Sequence, residues 1–216
     1  MKITWIGHAC FSIEAAEGQV VTDPFAKEVP YRLPKLAADV VTVSHEHSDH
    51  NAADRIGGSP AAVRGVGELE AAGIPIRGIA SWHDDQGGAQ RGTNCIYAFT
   101  LEGIRLAHLG DLGASLDAAQ RAALADVEIL FVPVGGTYTI DAAQAARIVR
   151  SLPELRIAIP MHFKTDRIAD WPIAPVEEFA RLMDNVRYVG ASTVEVTRAS
   201  LPAQREVWIL HYAKRL

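Results

Sequence analysis

A chain of 216 residues, 49% hydrophobic and 22% charged, is long enough to bury one sizeable core, so a single domain over 1–216 is expected. Its net charge of -5, with no Lys/Arg cluster, argues against a dedicated nucleic-acid binder, because neutralising phosphates needs a concentrated basic face. No apolar run approaches the roughly 18–20 residues of a membrane helix, and the first ten residues lack the apolar core of a signal peptide, so a cytoplasmic protein without membrane insertion is expected.

Alternation and β-branched residues mark strands at 2–6, 10–14 and 19–22, the last two joined at Glu17-Gly18, as an antiparallel meander. A buried strand at 39–43 follows the Pro-rich link 30–34 and runs into His45-Glu46-His47-Ser48-Asp49-His50, which places that run on a strand-to-helix loop. A short helix from Ala52, a strand at 61–64, a helical turn at 67–72 and a strand at 74–81 come next. A loop rich in Gly and charge, 82–93, leads into a hairpin of 95–101 and 104–109. Cys10 and Cys95 lack the spacing of a disulfide framework or thiolate site, and are read as buried strand residues.

Two helices then open with one tetrapeptide, Asp117-Ala-Ala-Gln120 and Asp141-Ala-Ala-Gln144. Asp at the N-cap with Gln three residues on is close to a capping box. A strand at 128–134 separates these helices, and one at 156–160 follows the second. A helix at 175–183 and strands near Tyr188, at 193–197 and at 207–212 complete the chain. Alternating strands followed by strand-helix units predict an α/β protein of two mixed sheets packed together, with helices outside.

The run His45-x-His47-x-Asp49-His50 carries the chemistry. By chance it is expected about once in a thousand chains of this composition. Two apart on an extended segment, His45 and His47 point the same way and can share one ion. Asp49 and His50 lie past the bend and can reach a second, offering a hard oxygen and a borderline nitrogen that suit Zn, Mn or Fe. Glu46 faces away. Four side chains cannot complete two metal shells, so further ligands must come from elsewhere. His83, Asp111 in His108-Leu-Gly-Asp111 and His162 in Pro160-Met-His162 each end a predicted strand and begin a loop, where site residues concentrate.

In order and spacing these seven residues resemble the metallo-β-lactamase superfamily. Trp5-Ile-Gly-His8-Ala, Thr22-Asp23-Pro24, Gly92-Thr-Asn94, His108-Leu-Gly-Asp111 and Pro133-Val-Gly-Gly136 are similar to its branch of metal-dependent hydrolases allied to L-ascorbate-6-phosphate lactonase and N-acyl-phosphatidylethanolamine phospholipase D. The resemblance implies a four-layer αββα sandwich, with His45, His47 and His83 on one ion, Asp49, His50 and His162 on a second, and Asp111 bridging. It implies two divalent ions, zinc foremost with manganese or iron as alternatives, and a bridging hydroxide that attacks a small-molecule ester, lactone or phosphodiester. An anionic sugar-phosphate lactone is the favoured substrate.

Around that centre, His8 is a candidate for binding substrate or donating a hydrogen bond, and Tyr138 for donating to a developing oxyanion. Asp49 is chiefly a ligand that can take a proton transiently. Arg91 and Lys164 are candidates for holding an anionic group. Asp23 resembles a carboxylate that orients a ligating histidine, and His108 is read as a core histidine behind the ligands. A redox di-iron protein and a nucleic-acid processing nuclease are the alternatives on the same scaffold. The presence of His83 among the ligands counts against the first, and the acidic balance against the second. A homo-oligomer stays open.

Overall fold

The expected meander forms from β1 (Lys2–Gly7), β2 (Cys10–Ala15) and β3 (Gly18–Thr22), which pair antiparallel in sequence order. The computed structural model describes residues 1–214. In it, β3 continues into a parallel run with β4 (Val40–Thr42) and β5 (Ala61–Val63), while β13 (Thr193–Glu195) closes the other side of this six-stranded sheet.

The second sheet has eight strands. Its centre is β9 (Ile104–His108), β10 (Ile129–Pro133) and β11 (Ile157–Met161), extended in parallel by β14 (Glu206–Ile209) and β12 (Val186–Tyr188). On the other flank β8 (Thr93–Leu101), β7 (Ile74–Trp82) and β6 (Gly67–Ala71) pair antiparallel. Every residue of β10 and β11 is buried, as parallel strands covered on both faces require. The two sheets face each other through one continuous apolar core. Phe11 of β2 meets Phe131 of β10 across it, with ring centroids 4.4 Å apart.

Helices lie outside these sheets, and they are few and short: α1 (Ala118–Ala123), α2 (Ala142–Ser151) and α3 (Val176–Ala180). Asp117 and Asp141 each accept from the backbone of the Gln three residues on, and that Gln side chain returns the bond, so both capping boxes are complete. α2 buries Ala142, Ala145, Ala146, Ile148 and Val149 and packs against β10 and α3. The result is the expected sandwich of two mixed sheets, with thin outer layers.

One element differs in kind. The segment 67–72, expected as a helical turn, is strand β6, paired to β7 with Leu69 opposite Ile76. Its Glu, Leu and Ala favour helix locally, but Ala72 and Gly73 both take positive φ, 50° and 76°, which is the backbone of a tight hairpin turn. The expected helix from Ala52 is a single 3-10 turn, Ala53–Arg55. Among the described residues, no helix is long and apolar enough to cross a membrane.

The topology sets up one edge. β7 and β9 both run antiparallel to β8, and β9, β10 and β11 are mutually parallel. The C-terminal ends of β7, β9 and β11 therefore emerge on the same side, leading to His83, Asp111 and His162. The loop after β4 brings His45 to His50 from the other sheet.

Candidate metal centre

At that edge the seven sequence-predicted ligand candidates meet in one cluster. Ligand-capable atoms of His45, His47 and His83 lie within 4.8 Å of one another, as do those of His45, His50 and Asp111 and those of His8, His50 and His162. Asp111 is central: its Oδ2 is 3.2 Å from His50 Nε2, 3.3 Å from His162 Nε2, 3.4 Å from His83 Nε2 and 4.0 Å from His45 Nε2. Asp49 Oδ2 is 3.7 Å from His50 Nε2 and 3.1 Å from His8 Nε2. Glu46 turns outward to Arg64 and Asn51.

Buried Asp23 fixes two of these rings. His50 Nδ1–H donates to its Oδ2 at 2.9 Å, and so does the Ser44 hydroxyl at 2.5 Å. With its one proton committed there, Ser44 Oγ must accept from His45 Nδ1, 2.9 Å away. Both histidines thereby keep a proton on Nδ1, so Nε2 is the nitrogen that each turns into the cluster. The Asp111 turn is fixed as well. Asn94 Oδ1 accepts its N–H at 2.9 Å while Asn94 Nδ2 donates to Leu109 O and Ser81 Oγ. Gly110 has φ +56°, and a Cβ there would come within 2.4 Å of Asn94 Oδ1, so the approach needs glycine.

Three of these residues hold strained backbone: His8, Asp23 and His162 have φ of 55°, 40° and 51°. Non-glycine residues reach this left-handed region at a cost, and such positions concentrate at functional sites.

The electrostatics suit a cation. Burial pushes His45 down to about 3, with His50 adding to the effect. Burial and His162 push His8 to about 4. Both rings are therefore neutral near pH 7. Burial opposes charge on Asp111, but His162 and His50 hold its carboxyl well below the usual range. Burial likewise opposes charge on His50, yet Asp111 and Asp23 raise it well above the ordinary value. The carboxylates that attract a proton to His50 would attract a divalent ion to the same place.

Whether these residues fit a metal is decided by atoms without partners. His45 Nε2, His50 Nε2 and Asp111 Oδ1 are all buried in the cluster and make no hydrogen bond. Each such group costs roughly 1–3 kcal/mol, and polar interiors normally satisfy them. Imidazoles gathered around a shared carboxylate are a donor set for Zn, Mn or Fe.

A family model described as the β-lactamase superfamily domain matches residues 2–162. The chain belongs to this superfamily. Among relatives of this superfamily member, a Carboxydothermus hydrogenoformans protein named UPF0173 metal-dependent hydrolase is 32% identical over 213 residues, covering 83% of this chain and 90% of its own. The crystal structure of a Thermotoga maritima protein, described as a Zn-dependent hydrolase of the metallo-β-lactamase superfamily, aligns at TM-score 0.81 with 36% identity and covers 97% of both chains. Igni18, a metallo hydrolase from Ignicoccus hospitalis, shares the fold at TM-score 0.64 and 22% identity, covering 91% of this chain and 99% of its own.

In this superfamily member a cavity of about 270 Å³ opens over Asp111 and includes Asp49, Arg91, Tyr138 and Trp171 in its lining. Half-buried Tyr138 lies under the Arg91 guanidinium, 4.9 Å from its ring centroid, and Arg91 Nη2 donates to Thr137 O at 3.3 Å. His108 uses both nitrogens elsewhere: Nε2 donates to Ala9 O at 2.8 Å and Nδ1 accepts from Gly110 N–H at 3.2 Å. It lies in the core behind the cluster.

Lys164 is a correction. It lines a separate cavity of about 250 Å³ with Trp5, Phe163 and Asp166 and does not border the one over Asp111. Two residues apart in a strand, Lys164 and His162 would share a face, but the left-handed backbone at His162 breaks the alternation. Past it, Lys164 N–H donates to Ala174 O at 2.9 Å.

Sequence reasoning passed over Ser44, Asp84 and the role of Asn94. Ser44 and Asp84 adjoin ligand candidates, and adjacency was the available signal. The partner of His8 was missed too, since Asp49 lies 41 residues away.

Proposed function

We propose that this protein is a metal-dependent hydrolase that uses a pair of divalent ions, zinc foremost and manganese or iron as alternatives, on a small-molecule ester, lactone or phosphodiester. The carrying observation is the convergence of the Nε2 atoms of His45, His50, His83 and His162 on Asp111, with buried His45 Nε2, His50 Nε2 and Asp111 Oδ1 making no hydrogen bond. His45, His47 and His83 would hold one ion, Asp49, His50 and His162 the other, with Asp111 between them. Bound ions would supply Lewis acidity and a water acidified to near pH 7.

The chain's own residues do the rest. Ser44 and Asp23 keep the His45 and His50 lone pairs directed inward, and His8 steadies the Asp49 carboxylate through the 3.1 Å contact. Tyr138, on the cavity wall, would donate its phenol proton to charge developing on the substrate. Arg91 offers a cation for an anionic group. The names of the Carboxydothermus and Thermotoga relatives support hydrolysis, and the motif resemblance points to a sugar-phosphate lactone as one member of the substrate class.

Turnover of an aryl ester, a lactone and a bis-aryl phosphodiester by metal-loaded protein tests this reading. Hydrolysis of at least one, abolished by chelation and in Asp111→Asn, is expected. A fully loaded protein that turns over none of the three contradicts it.

A further inference from the structure

Beside the cavity over Asp111 lies a larger one, about 540 Å³, which shares His47 and Arg91 with it. Its wall carries Val66, 58% exposed, and Trp82, 46% exposed. Large apolar side chains left open to water beside a polar centre mark a ligand-contacting surface. Trp82 is held in place: a Cβ added at Gly88 would come within 2.7 Å of its ring, and its carbonyl accepts from Gly113 N–H at 2.8 Å.

The loop after Trp82 is gathered by one carboxylate. Asp84 accepts the backbone N–H groups of Gln86, Gly88, Gln90 and Arg91 at 2.9, 2.8, 2.9 and 2.7 Å. This cradle brings Arg91 to the junction of the two cavities, stacked on Tyr138. The other cation of the groove, Arg64, is paired with Glu46 at 2.9 Å. Among the described residues, Arg91 makes no ion pair with a carboxylate, which leaves its charge available.

We propose that this groove is a second subsite, which takes the planar apolar part of an anionic substrate. Trp82 and Val66 cover the apolar body, Arg91 pairs with the anionic group, and Asp84 positions Arg91 through the loop. The inference rests on the hydrolase reading for calling the ligand a substrate. It narrows the class to anions that carry an aromatic or acyl body, and disfavours a bare sugar phosphate, which would leave Trp82 and Val66 uncovered.

The probe is 8-anilinonaphthalene-1-sulfonate, a planar aromatic anion with no ester, lactone or phosphodiester bond, titrated by fluorescence into the metal-loaded protein. Saturable binding at one site is expected. Trp82→Ala and Arg91→Ala should each weaken it roughly tenfold, and Lys164→Ala, in the separate cavity, should leave it unchanged. If Trp82→Ala does not fold, Val66→Asp serves in its place, because it sets a negative charge on an exposed wall position and should weaken binding as much. Absence of saturable binding, or equal affinity in the wall and Arg91 variants, overturns the subsite. Binding is read without turnover, so failure of hydrolysis with normal probe binding sinks the hydrolase reading and upholds the groove as an anion-binding subsite. Normal hydrolysis without probe binding does the reverse.

Discussion

A single buried carboxylate, Asp23, controls the presentation of two imidazoles, one directly and one through Ser44. Asp23→Asn replaces one acceptor oxygen with a donor, so either the Ser44 backbone N–H bond to one oxygen or the His50 and Ser44 hydroxyl bonds to the other are lost. Removing such an outer partner lowers metal affinity by about 10–100-fold, and competition against a chromophoric chelator should show it; unchanged affinity would mean the hydrogen bonds do not position the rings. Asp84 makes a prediction in pH. Burial raises its carboxyl, but the four backbone N–H donors outweigh that and hold it at about 2. The unfolded value is about 3.9, so the carboxylate stabilises the fold fully above that pH, and the contribution is lost as pH falls through about 2. Asp84→Asn should therefore lower Tm near neutrality, with the gap to the parent closing between about pH 4 and 2. A constant gap over that interval contradicts the cradle. At this scale the ligand candidates were legible because metal chemistry restricts residue type and spacing. The strained backbones of His8, Asp23 and His162 were not, since tertiary contacts impose left-handed φ on residues that do not favour it locally.

Elements were legible where the signal is local. The repeated Asp-Ala-Ala-Gln announced both helix starts, because the capping box is complete within four residues. The two caps should nevertheless differ in weight. α2 buries five residues and packs against β10, whereas α1 buries none. Asp141→Ala should cost about 1 kcal/mol of global stability in urea unfolding, and Asp117→Ala distinctly less, because α1 can fray without opening the core. Equal losses would show that α1 is coupled to the core after all. Strand β6 was illegible for the opposite reason: its helix-favouring composition yields to cross-strand pairing with β7, which the local sequence does not display. Lys164 failed similarly, since its face depends on one backbone angle at His162.

At the scale of the molecule, two sheets contribute to one centre. The loop after β4 supplies His45 to His50, and the ends of β7, β9 and β11 lead to His83, Asp111 and His162, so the site exists only when the sandwich is closed. Sequence order and resemblance made the architecture readable, but the cavity carrying Trp82 and Arg91 required the packing of a loop against two strands. Closing the sandwich also buries imidazole nitrogens without partners, a cost that bound ions would offset. The most direct measurement is elemental analysis of the folded protein after loading with excess zinc and removal of unbound metal, alongside His45→Ala and Asp111→Asn. About two equivalents per chain are predicted, falling in both variants. A folded parent protein that retains no metal under these conditions would contradict the central claim.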